Sequence, residues 1–180
     1  MAARREKRVY AGLMITALIR VRRGPEALAV TLSALVPAVT AGLVGDAVVL
    51  SERRDDAVAL VADAAGAALI VAEDPSWRAG AGAARRDWLL CLDDGDLPQE
   101  GWIRVLDRFL RAGRPEQSLA RLRRRRAGML ETALDAASGL VGRTSVSAGD
   151  LVHRRVLLSG QKARAPVRLE ARIERDPTFC

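Results

Sequence analysis

The chain has 180 residues, 49% apolar and 28% charged, with 29 Lys and Arg against 22 Asp and Glu for a net charge of +7. That length suits one domain with a sizeable core, and the composition excludes a disordered chain. Two cysteines, Cys91 in an apolar run and Cys180 at the end, exclude a disulfide framework, and no apolar stretch reaches about 18 residues without Arg, Pro or Asp, which excludes an ordinary membrane span.

The basic opening "MAARREKRVYAGL" (residues 1–13) reads as an N-terminal tail, with a single domain over 14–180. "MITALIRV" (Met14 to Val21) is apolar and β-branched and predicts a strand; "RRGPE" after it is turn chemistry followed by Pro in a helix's first turn. In "PEALAVTLSALVPAV" the residues Leu28, Leu32, Leu35 and Val36 recur at helical spacing. "DAVVLS" predicts a second strand, "RDDAVALVADAAGA" a helix with acids in its first turn and Gly66 near its stop, and "AALIVA" a third strand. "EDPSW" leads into a short alanine-rich helix, and "WLLCL" predicts a fourth strand.

Beyond it, "PQEGWIRVLDRFLRAG" reads as a helix closed by Gly113, with Ile103, Leu106, Phe109 and Leu110 on one face. "PEQSLARLRRRRAGMLETALDAASGLVG" reads as more helical material, "DLVHRRVLL" as a strand or short helix, and "PVRLEARI" as an edge strand. Strands alternating with helices imply an α/β domain whose mostly parallel sheet is covered on both faces. Its ligands then gather at the carboxyl ends of the strands.

That is where "DWLLCLDDGDLPQEGW" (Asp87 to Trp102) places Asp93, Asp94 and Asp96. The acids read either as a polar turn before the next helix or as a cation site, since hard divalent ions are held by carboxylate oxygens. The densest charge, "RLRRRR" (Arg121 to Arg126), reads as a solvated helix face, as a contact for an anionic membrane surface, or as a nucleic-acid contact. Nucleic acid is disfavoured, because no nucleic-acid-binding signature accompanies the run and only 3% of residues are aromatic. His153, the one histidine, reads as a surface residue, Cys91 as a small buried hydrophobe, and Trp77, Trp88 and Trp102 as packing residues, Trp77 also being placed to line a sugar pocket. "GAGAA" (Gly80 to Ala84) follows a loop and lacks the spacing of a dinucleotide fingerprint, which disfavours a nicotinamide enzyme.

From about Met14 to Val156 these segments resemble a bacterial family-two glycosyltransferase, compact and divergent. "ITALIRVRRGPEALAVTLSALVP", "VGDAVVLSERRDDAVALVADAAGAALI" and "AGAGAARRDWLLCLDDGDLPQEGW" stand in the order of that family's first strand and helix, donor loop, and acidic motif with its Pro-to-Trp turn. The resemblance implies a single Rossmann-like domain of the nucleotide-diphospho-sugar transferase type, cytoplasmic or peripheral at the inner membrane. It implies transfer of a sugar from a nucleotide-diphospho-sugar donor, with Mg²⁺ or Mn²⁺ offsetting the charge of the departing diphosphate.

On this chain the implied metal ligands are Asp94 and Asp96, the implied donor contacts Arg22, Arg23, Glu52, Asp56 and Asp94, and the implied catalytic acids Asp93 and Asp150. The chain departs from the pattern at several points. The family's metal-binding second Asp falls on Gly95, its pyrimidine-contacting acid on Ser51, its Pro and small polar residue after the first strand on Arg20 and Val21, and a later Asp on Ala148, two places before Asp150. A transfer with inversion needs a base for the acceptor hydroxyl, and "SGQKARAPVRLEARIE" offers only Glu170 near the expected place. The departures support, as the alternative, a glycosyltransferase-fold binding or scaffolding protein without catalysis.

Overall fold

A computed structural model describes residues 14–113, 117–124, 145–160 and 165–179. The basic tail at 1–13, most of the segment read as helical before "SAGD", and Arg125 and Arg126 lie outside the described residues.

The first half of the chain builds the alternation its periodicity predicts. Strand β1 (Ile15–Arg20) is followed by helix α1 (Pro25–Thr40), β2 (Val44–Ser51), α2 (Asp56–Ala64), β3 (Ala68–Val71), α3 (Trp77–Ala83) and β4 (Trp88–Asp93). Local chemistry sets the boundaries. Gly24, at φ 111°, turns the chain so that Pro25 can open α1. The Asp55 carboxylate accepts from the N–H groups of Ala57 (2.8 Å) and Val58 (3.1 Å), which starts α2 by capping donors with no partner inside the helix.

The second half departs from the simple alternation. A short strand β5 (Asp96–Pro98) follows β4 after a two-residue turn, and helix α4 (Trp102–Arg111) begins only at Trp102, after the turn formed by Gln99 to Gly101. Strands β6 (Leu119–Arg124) and β7 (Asp150–His153), helix α5 (Arg154–Ser159), strand β8 (Val167–Arg175) and a 3₁₀ turn (Pro177–Phe179) complete the described chain.

All eight strands form one sheet in the order β3-β2-β1-β4-β7-β6-β8-β5. The β3-β2-β1-β4 half is wholly parallel, as βαβ crossovers require. In the other half β7 pairs antiparallel with β4 and β6, β5 pairs antiparallel with β8, and β6 pairs parallel with β8. Two expectations are corrected here. Leu119–Arg124 is a strand and not part of a helix, although Leu, Ala and Arg all favour helices. Pairing on both sides, with Leu119, Ala120 and Leu122 buried, overrides that propensity. Strand β8 is an interior strand, flanked by β6 and β5, and not an edge.

The sheet is packed on both faces. Ile15, Ala17 and Ile19 of β1 join Leu28 and Leu35 of α1 and Leu106 and Leu110 of α4 on one side, while Leu18 joins Val48, Leu50, Trp77 and Ala81 on the other. At Gly80 in α3 an added methyl group would stand 3.1 Å from Leu18 and 3.2 Å from Leu50, so the glycine lets this helix approach the sheet closely. That close approach brings Trp77, at the helix's first turn, against the carboxyl end of β1.

Candidate functional site

Register puts the first pair of charged groups together. Arg20 ends β1 and Asp93 ends β4, and the two are direct partners in the parallel ladder. Both side chains therefore project to the same face. Nε and Nη2 of Arg20 donate to Asp93 Oδ1 at 3.1 and 3.0 Å. The Arg20 guanidinium also lies 4.0 Å above the centre of the buried Trp77 ring, a cation–π stack. Arg22 Nε stands 4.0 Å from the same carboxylate oxygen and Arg175 Nη2 3.8 Å from the other.

Asp94 has a different task. Its Oδ2 accepts from three successive backbone N–H groups, those of Arg22 (2.8 Å), Arg23 (2.5 Å) and Gly24 (3.2 Å), while Arg23 Nη1 reaches Oδ1 at 3.1 Å. Three converging amides before a helix form a natural anion nest, and here the protein's own carboxylate fills it. Arg23 is directed the same way, donating from Nε to the carbonyl of Phe179 at 2.9 Å.

Asp96 is wholly buried. Its Oδ2 accepts from the Asp93 N–H (2.9 Å) and from Arg124 Nη2, and Arg175 Nη2 is 3.8 Å from Oδ1. Burial pushes this carboxyl above its ordinary value, against the pull of Arg124 and of the Asp93 N–H. Oδ1 itself has no hydrogen-bond partner among the described residues. Asp150, equally buried, is directly opposite Arg121 in the antiparallel β6–β7 ladder. Arg121 grips it in a fork, Nε to Oδ1 at 2.7 Å and Nη2 to Oδ2 at 2.9 Å, and the Ser147 N–H adds a third bond at 2.9 Å. Asp93, Asp94, Asp96 and Asp150 thus each face an arginine, and two of those arginines, Arg121 and Arg124, come from the run read as a solvated helix face or as a contact for a membrane surface or nucleic acid.

Gly95 explains why the motif is displaced. It sits at φ 82°, a backbone region that side chains rarely adopt, and a methyl group there would meet the Phe179 ring at 3.4 Å. The position where the resemblance places a metal-binding Asp is therefore a tight turn lidded by the 3₁₀ turn, and Asp176 ties that turn down through its N–H to the Gly95 carbonyl (2.8 Å).

Beside these pairs a cavity of about 700 Å³ opens at the carboxyl ends of β1, β2 and β3, within the size range of small-molecule sites. Arg20, Arg22, Glu52, Arg53, Asp55 and Trp77 are among its lining residues. Of the residues singled out in the sequence, Arg22, Glu52 and Trp77 line it. Asp56 is the exposed first residue of α2, one place beyond the lining Asp55, and Arg23, Asp93, Asp94, Asp96 and Asp150 do not line it. The sequence motifs assign no role to Arg20, Arg53 or Asp55. The signal for Arg20 was its place where a strand ends, and for Asp55 its place before a helical run.

A divalent cation can be tested against this donor set. Among the described residues no three His, Cys, Asp or Glu side chains converge as a cation site. An ion held by one or two carboxylates with phosphate oxygens completing its shell needs less. Asp93, with 12% of its side chain exposed and linked through Arg20 and Arg22 to the cavity wall, fits that donor chemistry, and Asp96 with its unpartnered Oδ1 lies behind it.

His153 and Cys91 lie apart from this chemistry. Cys91 is fully buried and its thiol is pushed up by that burial, so it is a packing residue and not a nucleophile. His153 caps α5 by accepting from the Arg155 N–H and packs edge-on against Trp88, with ring centres 5.2 Å apart. Burial, then Arg155, lowers its pKa below the ordinary histidine value. A depressed value means the unfolded chain binds the proton more readily, so stability is full above about pH 6.5 and falls as the pH drops below it. In His153→Asn, which keeps a capping oxygen, urea melts at pH 7.5 and pH 5.5 should differ less than in the parent; an equal difference would remove His153 as the cause.

No protein-family model matches the chain, and no curated protein matches it in sequence. Solved structures do match its fold. Glucosyl-3-phosphoglycerate synthase from Mycobacterium tuberculosis, in complex with phosphoglyceric acid, superimposes with a TM-score of 0.62 at 18% identity, over 83% of this chain and 60% of that one. Mannosyl-3-phosphoglycerate synthase from Rubrobacter xylanophilus gives 0.62 at 16% identity, over 97% and 70%. The M. tuberculosis enzyme in complex with Mn²⁺, uridine diphosphate and glucosyl-3-phosphoglycerate gives 0.58 at 19%, over 83% and 60%. The chain has the nucleotide-diphospho-sugar glycosyltransferase fold, and it spans 60% of the length of the first of these enzymes.

Proposed function

We propose that the chain binds a nucleotide-diphospho-sugar in the cavity at the ends of β1 to β3 and transfers the sugar to an acceptor. The observation that carries this reading is the coincidence, on the fold that the two phosphoglycerate synthases share, of a cavity of about 700 Å³ with guanidinium groups at its inner wall. Acids of the β2 loop, Glu52 and Asp55, face it from the other side and suit the donor N–H and hydroxyl groups of a nucleoside. Trp77 supplies an apolar wall.

Mg²⁺ or Mn²⁺, when bound, would be held by Asp93 with Asp96 behind it and would offset charge on the departing diphosphate. The chain's own part is positional. Arg20 and Arg22 orient the phosphates, and the Asp94 cap fixes the loop that carries Arg22.

One observation favours a second reading, donor binding without transfer: Asp93, Asp94 and Asp150 are held in ion pairs, and Asp96, whose Oδ1 has no partner among the described residues, is wholly buried and does not line the cavity. Thermal melting with UDP, GDP and their sugars, each with Mn²⁺, tests the shared part. A ligand at 100 times its Kd should raise the melting temperature by about 5 °C or more. No rise with any of them would overturn donor binding. A rise without release of nucleoside diphosphate in the presence of acceptor sugars would select the second reading.

A further inference from the structure

Arg20 stands out from the other arginines of the site because it is both fixed and open to the cavity. Arg23 and Arg124 are directed onto Asp94 and Asp96, and Arg121 onto Asp150, none of them among the residues that line the cavity. Arg20 does line it, with 20% of its side chain exposed. Its Nε and Nη2 are anchored on Asp93 Oδ1 and its face is stacked on Trp77 at 4.0 Å, which removes the rotamer freedom that an exposed arginine loses on binding. A guanidinium has five N–H donors, so the anchoring bonds leave others to meet an anion. Arg22, 59% exposed, and Arg53 add positive charge at the same cavity.

At the ends of β1 and β4 positive charge is in excess, whereas the acids that line the cavity, Glu52, Asp55, Glu73 and Asp74, stand on the loops after β2 and β3. Asp93 alone faces Arg20, Arg22 and Arg175 within 4.0 Å. A surplus of guanidinium groups at that end attracts a diphosphate directly, and the same surplus opposes entry of a bare divalent ion at Asp93.

We propose that Arg20, pre-positioned by Trp77 and Asp93 and assisted by Arg22, is the anchor for the donor's diphosphate, and that it seats the diphosphate without a divalent cation. The inference rests on the donor-binding reading above and deepens it: charge that a metal would supply at the binding step comes from the protein, and any cation joins a diphosphate already in place.

Isothermal titration of the full chain with UDP, inorganic pyrophosphate and uridine, in EDTA and again in Mn²⁺, tests it. UDP and pyrophosphate should bind in EDTA, uridine much more weakly, and added KCl should weaken UDP. Arg20→Met should weaken UDP in EDTA by about tenfold or more, as expected for losing a hydrogen-bonded charge, and Arg22→Ala by a smaller factor. Arg20→Lys, which keeps the charge and loses the fork, should fall between Arg20→Met and the parent. If Arg20→Met fails to fold, Arg22→Ala and the parent in EDTA decide the question. Binding of UDP by the parent only when Mn²⁺ is present would overturn this inference and leave donor binding standing, as would variants that bind in EDTA as well as the parent. Absence of UDP binding in both buffers would overturn both.

Discussion

Asp94→Ala should cost about 4 kcal/mol of folding stability, measured by urea or guanidinium unfolding, a large share of the roughly 5–15 kcal/mol that holds a domain together. The side chain is completely buried, and its removal strands three backbone N–H groups and the Arg23 guanidinium at once. Those groups cannot all reach water without opening the loop between β1 and α1. Asp94→Asn, which keeps an acceptor and loses the charge, should cost about half as much. A variant within about 1 kcal/mol of the parent would show that the nest is satisfied some other way. The result bears on any search for metal ligands, because loss of donor binding in Asp94→Ala would report a collapsed loop and not a missing ligand.

The second large effect is expected at Asp150. Asp150→Ala should lose about 3 kcal/mol, less than Asp94→Ala because it strands one backbone N–H, that of Ser147, where Asp94→Ala strands three. A double-mutant cycle with Arg121→Ala should give a coupling of about 1.5 kcal/mol or more, as for a forked, buried charge pair. If instead Asp150→Asn abolished sugar transfer with unchanged unfolding, and the cycle showed no coupling, Asp150 would be acting as a chemical group and not as a structural one.

The half of the fold that was legible in the sequence is the half that repeats. From Ile15 to Asp93 each strand is a short apolar run and each helix carries its own start signal, Pro25, Asp55 or Ser76, so local chemistry and tertiary structure agree. Agreement ends after β4, where Pro98 belongs to strand β5 and not to a helix, and fails most plainly at β6. "LARLRR" has the propensity of a helix, and only partners distant in sequence, β7 and β8, make it a strand. The edge assignment of β8 failed for the same reason, since nothing local to it announces β5 as its outer neighbour.

The acids of the site were visible as acids and their partners were not. Asp93 and Arg20 are 73 residues apart, Asp94 and Arg23 71, and Asp150 and Arg121 29. A cluster of carboxylates reads as a cation site when its counter-charges are hidden by distance along the chain. Arg121 and Arg124 were read for outward work, on lipid or solvent, when the sheet turns them inward to Asp150 and Asp96. Among the described residues no helix is long and apolar enough to cross a membrane.

The contact between Arg23 and Phe179 spans 156 residues, and the ring of Phe179 rests on the Gly95 turn. During synthesis, the loop beside the cavity is therefore held first by Asp94 and gains its second tie, to Phe179, only when nearly all of the described chain has emerged. Loop-closure entropy makes so distant a latch slow to form. Nascent chains stalled before Phe179 should accordingly carry a formed parallel half-sheet with Arg23 held by Asp94 alone and the Gly95 turn uncovered.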